Sequence, residues 1–97
     1  MYFAIISTDY ANVSEKRAST RTEHLARLEV LKQENRLLLA GPTPISDDAN
    51  EKIMSGSIVI AQFSSLVFAQ KWAEEDPYCY AGVYEKVLVR PFKQVLP

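Results

Sequence analysis

The chain has 97 residues, of which 47% are hydrophobic and 24% are charged. These values are ordinary for a globular protein with one modest hydrophobic core, so we treat residues 1–97 as a single domain. Eleven basic and twelve acidic residues give a net charge of −1. This balance provides no basic surface for a nucleic-acid backbone, and we expect no nucleic-acid partner.

The N-terminal segment MYFAIIST is apolar but short, and it has no positively charged flank. It is therefore neither a signal peptide nor a membrane span, and we expect a cytoplasmic protein with no membrane partner. Cys79 and His24 are the only cysteine and histidine, which leaves few residues for a metal site. Because glycine motifs for phosphates and dinucleotides are also absent, we predict no metal and no cofactor.

The first elements in chain order are a strand and a helix. Residues 2–8 are rich in aromatic and β-branched residues over the length of a strand. Thr20 and Glu23 have the spacing of a capping box. This pattern predicts that a regular helix begins at about Arg21, after an irregular turn over residues 14–19.

The rest of that helix shows an apolar face. Leu25, Leu28 and Leu31 recur at helical spacing, while Arg27 is predicted to face water. Asn35 then supplies a left-handed stop.

The middle of the chain predicts two strands joined by a polar connection. Residues 37–40 form a short apolar run that ends at Gly41-Pro42, which is typical of a buried strand. Residues 42–55 carry two prolines and a run of polar residues, and residues 56–63 predict the third strand.

The C-terminal third predicts a second helix and a fourth strand. Ser64 or Ser65 caps the helix, and Pro77 ends it. Residues 83–89 alternate as a strand, and residues 90–92 open a tail. The predicted buried face of the helix consists of Phe68, Ala69, Trp72 and Ala73.

The element order βαββαβ predicts a ferredoxin-like α+β fold, with two helices on one face of a four-stranded antiparallel sheet. Both faces of the predicted strands are apolar, as the alternation of Ala4 and Ile6 with Phe3 and Ile5 shows. A sheet with one such face exposed would carry a large apolar patch. We therefore expect a homodimer that packs through this face.

His24 is the first candidate for chemistry. The capping-box interpretation places it in the first turn of a helix, where free amides favour anions. There it is either a general acid or base or an ordinary surface histidine.

Asp76 is the second candidate, because the ferredoxin-like order brings the two helices side by side. A carboxylate that accepts the Nδ1 proton of an imidazole fixes its tautomer. Pro77 pushes Asp76 out of helical geometry, so the acid either points at His24 or only accompanies the helix stop.

Five further residues are candidates for substrate binding. Arg17 and Arg21 lie close to His24 in sequence and would hold a carboxylate or phenolate, unless they are solvated. Tyr78 adjoins Asp76 and either lines a pocket or lies at a dimer interface. Gly41 and Pro42 either admit a ligand to the backbone or only make a turn.

Several segments together resemble the YciI-like family, and they span nearly the whole chain in order. The segments are Arg21-x-x-His24-Leu25-x-x-Leu28, Leu39-Ala40-Gly41-Pro42, Asp76-Pro77-Tyr78, Ala81-Gly82-Val83-Tyr84-Glu85 and Arg90-Pro91-Phe92. The resemblance implies a ferredoxin-like dimer, similar to dimeric α+β barrels such as muconolactone isomerase. It also implies a histidine and aspartate site, which falls on His24 and Asp76. Some relatives are dehydrochlorinases of chlorinated hydroxyhydroquinones.

Residues and resemblance together predict a cofactor-independent enzyme. In this hypothesis His24, oriented by Asp76, carries out proton transfer or elimination on a small anionic or phenolic metabolite. One alternative is a dimer that binds or senses a small ligand without converting it. Another is a purely structural pair that caps the helices.

Overall fold

The computed structural model describes residues Met1–Pro97, and its four strands form one antiparallel sheet. Counted along the chain, the first and third strands lie at the centre of the sheet, with the fourth beside the first and the second beside the third. The predicted ferredoxin-like arrangement is confirmed. Its elements are β1 (Tyr2–Asp9), α1 (Ser14–Gln33), β2 (Leu37–Pro44), β3 (Met54–Gln62), α2 (Leu66–Glu74), a short helix α3 (Pro77–Tyr80) and β4 (Tyr84–Phe92). No helix has both the length and the apolar character needed to cross a membrane.

The main core lies between the helices and one face of the sheet. Side chains alternate across a strand, so Phe3 and Ile5 of β1 point to the same side as Val59 and Ala61 of β3. Helices contribute residues at helical spacing to the same core: Leu28, Leu31, Ala69 and Ala73. Residues spaced by the strand repeat and residues spaced by the helix repeat therefore pack together in one hydrophobic layer.

Helix α1 begins at Ser14, so the predicted start at Arg21 was wrong, as was the irregular turn over residues 14–19. The residue at the N-cap position is Val13, whose side chain makes no capping hydrogen bond. Instead, Val13 is buried with Tyr78 and Tyr84 in a second apolar cluster. This packing stabilises the first turns in place of a polar cap.

The longer helix changes the setting of His24. It lies in the middle of α1 rather than in its first turn. The backbone amides around it are therefore paired within the helix, and the argument from free amides and the helix dipole does not apply.

The remaining differences are smaller. Strand β2 runs on through Gly41 and Pro42 to Pro44, and residues 90–92 belong to β4 rather than to a tail. Of the two serines predicted as caps, Ser65 caps α2, because its hydroxyl accepts from the Phe68 amide at 3.2 Å. Phe68 was wrongly predicted to be buried, since 60% of its surface is exposed.

The sheet face away from the helices is apolar and uncovered by this chain. Ile6, Leu39 and Leu88 are 40–49% exposed there, and they come from three different strands. The apolar second face expected from the sequence is therefore present as an exposed surface.

Gly56 allows the close approach of β3 to β1. A Cβ atom at this position would lie 1.9 Å from the carbonyl oxygen of Ser7, whereas one at Gly41 would meet nothing within 4 Å. We expect Gly56→Ala to lower the free energy of unfolding by about 1–3 kcal/mol or more, and Gly41→Ala to change it little. Urea unfolding midpoints test this, and equal midpoints for the two variants would contradict it.

Candidate active site

The side chains of His24 and Asp76 meet in a buried contact between α1 and the turn that precedes α3. Nδ1 of His24 lies 2.9 Å from Oδ1 and 2.9 Å from Oδ2 of Asp76. Both residues are buried, with 7% and 4% of their surfaces exposed. With an ionised Asp76 carboxylate, which can only accept a hydrogen bond, Nδ1 is the donor and Nε2 is the nitrogen that would accept a proton.

Local sequence explains why Asp76 stands at this point. Helix α2 ends at Glu74, and Pro77 occupies the first turn of α3, where its missing amide costs nothing. Asp76 adopts an extended backbone conformation between the helices, and its Oδ1 accepts from the Tyr78 amide at 2.9 Å. Pro77 therefore does more than stop α2, because it starts a helix that Asp76 caps.

Two tyrosine rings fix the orientation of the imidazole. Tyr78 stacks on His24, with ring centroids 4.0 Å apart and an interplanar angle of 6°. Tyr84 lies nearly perpendicular to both rings, and its hydroxyl contacts the hydroxyl of Ser57. The Tyr78 hydroxyl donates to the carbonyl oxygen of Arg17 at 3.2 Å. The ring of His24 is thus held in a packed frame.

A cleft of about 250 Å³ lies between α1 and the β2–β3 side of the sheet. Every sequence-predicted candidate except Asp76 lines it, and Asp76 lies behind His24. The lining residues are Arg17, Arg21, His24, Leu25, Leu28, Ala40, Gly41, Pro42, Ser57, Val59 and Tyr78. His24 lines the cleft, and its Nε2 atom makes no hydrogen bond within the protein.

Arg17 is held more firmly than the sequence suggested. Its guanidinium binds Asp9 through Nε at 2.6 Å and Nη2 at 3.0 Å, and Nη2 also donates to the carbonyl of Gly56 at 2.9 Å. Burial lowers the pKa of Arg17, but the hydrogen bond and charge of Asp9 outweigh it and raise the pKa above its usual value. By contrast, Arg21 is exposed at the mouth of the cleft.

Sequence reasoning missed three residues of this region. Arg27 was predicted to face water, but its Nη2 donates to the Trp72 carbonyl at 2.6 Å and its Nη1 lies 4.0 Å from Oδ2 of Asp76. Arg27 follows His24 by three residues on the same helix, and this spacing is the sequence signal that could have identified it. Tyr84 lies in one of the family segments, but its contact with Ser57 left no signal, because it joins β3 to β4 across the sheet.

No group of three or more histidine, cysteine, aspartate or glutamate side chains comes together anywhere in the structure. Cys79 is partly buried, and burial raises the pKa of its thiol. A thiol in that state is a poor nucleophile.

Residues 1–93 match the family described as the YCII-related domain. The chain belongs to this family. It is 54% identical to an uncharacterized protein of Haemophilus influenzae and 53% identical to Protein YciI of Escherichia coli. Each alignment is 97 positions long and covers 98% of this chain and 99% of the relative. The resemblance to YciI-like proteins is thereby confirmed.

The fold of this YCII-related chain also matches a solved enzyme structure. That structure is the 5-chloro-2-hydroxyhydroquinone dehydrochlorinase TftG of Burkholderia phenoliruptrix, in complex with 2,5-dihydroxybenzoquinone. The TM-score is 0.85 at 29% sequence identity, and the match covers 96% of this chain and 94% of the other.

The buried tyrosines predict how stability depends on pH. Burial raises the pKa of Tyr78 above its usual value and raises that of Tyr84 further. Since the folded pKa exceeds the unfolded value of about 10, the folded state binds more protons above that pH. The stability that the two protonated tyrosines contribute is fully present below about pH 10. It is lost as the pH rises through their pKa values in the folded state.

We therefore expect the urea midpoint to fall above about pH 10. Tyr84→Phe should be less stable at neutral pH, because it loses the contact with Ser57, but its decline at high pH should be shallower. Tyr80→Phe, at a ring that is 77% exposed, is the control. A decline in Tyr84→Phe as steep as in the native protein would refute this account.

Proposed function

We propose that the chain is a cytoplasmic, cofactor-independent enzyme that acts on a small oxygenated ring compound. In this enzyme His24 transfers a proton to or from the substrate. The observation that carries the proposal is the orientation of the imidazole. Nδ1 faces both oxygens of Asp76 at 2.9 Å, whereas Nε2 is free of hydrogen bonds within the protein and the residue lines the cleft. A neutral imidazole so oriented is a general base, and the carboxylate stabilises the imidazolium that forms when it accepts a proton.

The rest of the cleft suits an anionic intermediate. Arg17, Arg21 and Ser57 line the same cleft as His24, and guanidinium or hydroxyl donors stabilise the oxyanion left by a deprotonated phenol. Hydrogen bonds to Asp9 and Gly56 hold Arg17 in place, so it needs little reorganisation when negative charge develops. A volume of about 250 Å³ lies below the range typical of drug-sized ligands, which favours a single small ring.

The likeness to a dehydrochlorinase supports elimination as the reaction type. In such a reaction two phenolic hydroxyl groups each lose a proton, the first of them to Nε2, and their C–O bonds become C=O bonds. One proton is returned to the ring carbon that carries the leaving group, which departs with its bonding electron pair. A hydrogen halide is lost overall, so the step needs no oxidant or reductant. The proposed substrates are phenolic rings that carry hydroxyl groups and a leaving group.

Chloride release from 5-chloro-2-hydroxyhydroquinone tests the proposal directly. We expect turnover by the native protein and a fall in kcat of about 10²–10⁴-fold in His24→Gln, the usual contribution of acid–base catalysis. Asp76→Asn should also lower kcat, because it removes the acceptor that fixes the tautomer. Lys71→Gln, at an exposed position on α2, should retain the native rate.

Two other outcomes would contradict the catalytic proposal and support a different role for the His24–Asp76 pair. Binding of 2,5-dihydroxybenzoquinone that weakens in His24→Gln, with no chloride released by the native protein, would indicate a binding module. Loss of stability in both His24→Gln and Asp76→Asn, with neither binding nor turnover in the native protein, would indicate a structural pair.

We also propose that two copies associate through the open sheet face. Ile6 and Leu88 are opposite one another on β1 and β4, and 40% and 45% of their surfaces are exposed. An apolar surface built from several strands is more stable when it is buried against a second copy.

Sedimentation equilibrium tests this association. We expect the native protein to be a dimer at micromolar concentration and Ile6→Glu to be a monomer, because the charge would be buried without a partner. Glu29→Gln, at an exposed position on α1, should stay dimeric. A native protein that is monomeric at these concentrations would exclude the proposal.

A further inference from the structure

Arg27 is the only residue with a buried side-chain nitrogen or oxygen atom that lacks a hydrogen-bond partner, and the atom is Nη1. Such atoms are rare in native proteins, and each one calls for a physical explanation. Arg27 lies one helical turn after His24 on α1, so both side chains project towards the same neighbour. That neighbour is Asp76.

The other end of the guanidinium is fixed by the C-terminus of α2. Its plane lies over the ring of Trp72, with 4.3 Å between Cζ and the ring centroid, and Nη2 donates to the Trp72 carbonyl at 2.6 Å. This carbonyl is available because the Asp76 amide bonds to Ala73 instead. An arginine that binds the last carbonyls of a helix also interacts favourably with the helix dipole.

Nη1 is consequently held at 4.0 Å from Oδ2 of Asp76. This separation is too long for a hydrogen bond, but it places a fixed positive charge beside the carboxylate. The other neighbours of the carboxylate are the Tyr78 amide on Oδ1 and Nδ1 of His24, which contacts both oxygens.

We propose that Arg27 is the positioning residue of the site. Its positive charge attracts the carboxylate of Asp76 and keeps both oxygens facing Nδ1 of His24. The carboxylate in turn holds His24 in the tautomer with the proton on Nδ1. The role rests on the proposed function of His24, whose Nε2 can act as a base only in that tautomer. Arg27 itself is not among the residues that line the cleft.

Nitrogen-15 NMR of the imidazole tests the proposal without any substrate. The protein has one histidine, so the signals of Nδ1 and Nε2 are unambiguous, and they report the tautomer directly. Arg27→Met keeps an apolar side chain over Trp72 but removes the charge. We expect it to raise the population of the Nε2–H tautomer by about threefold to tenfold, as weakening of one charge-assisted hydrogen bond implies.

Two variants make the result interpretable. Arg27→Lys keeps the charge and should retain the native tautomer, so a change as large as that in Arg27→Met would overturn the role of charge. Arg36→Met is the matched control, since Arg36 also lies over an aromatic ring, that of Phe63 at 5.1 Å, and donates to the Gln62 carbonyl at 3.0 Å. It should lower stability without altering the tautomer.

An unchanged tautomer in Arg27→Met would show that Arg27 only packs against Trp72, and the proposal would fail. If Arg27→Met does not fold, Arg27→Gln, which removes the charge but keeps an amide donor, decides the matter: a mixed tautomer supports the proposal and a native one refutes it. These readouts are independent of turnover. A failed substrate assay with the expected tautomer changes would count against the proposed reaction and leave the positioning role intact.

Discussion

The local structure of the site depends on the buried carboxylate of Asp76. With only 4% of the residue exposed, this group must replace lost hydration by hydrogen bonds and opposite charge. The Tyr78 amide and the His24 imidazole supply hydrogen bonds, and Arg27 supplies charge. Because these partners come from α1 and α3, one carboxylate fixes both the chain reversal after α2 and the imidazole ring.

The sheet contributes the opposite wall and keeps the site rigid. Asp9 at the end of β1 binds Arg17, and Gly56 in β3 offers its carbonyl to the same guanidinium. The first half of α1 is thereby tied to two central strands. Sites built on helices and strands hold their geometry better than sites on loops, and here only the turn at Asp76 departs from regular structure.

The layout separates residues that hold the imidazole from residues that line the cleft. Asp76, Arg27 and Tyr84 lie behind or beside His24, whereas Arg21, Leu25 and Gly41 line the cleft. Under the proposed function, the first group preserves acid–base chemistry while the second can vary with the substrate. Such a division would let one fold in the YCII-related family serve different small molecules, since function resides in the site rather than in the fold.

The sequence by itself determined the order of the four strands and the two longer helices, the alternation of side chains along β1 and β3, a serine cap at residue 64 or 65 and the five motif segments of the family. These are local patterns of period, capping and residue identity, which a linear chain displays directly. The start of α1 and the contacts of Arg27, Ser57 and Tyr84 were decided only by the tertiary structure. Val13 replaces a polar cap by packing against residues some seventy positions away, and Arg27 turns inward because α2 ends beside it. Non-local packing and charge outweigh local propensity at such positions, and a sequence read in order cannot weigh them.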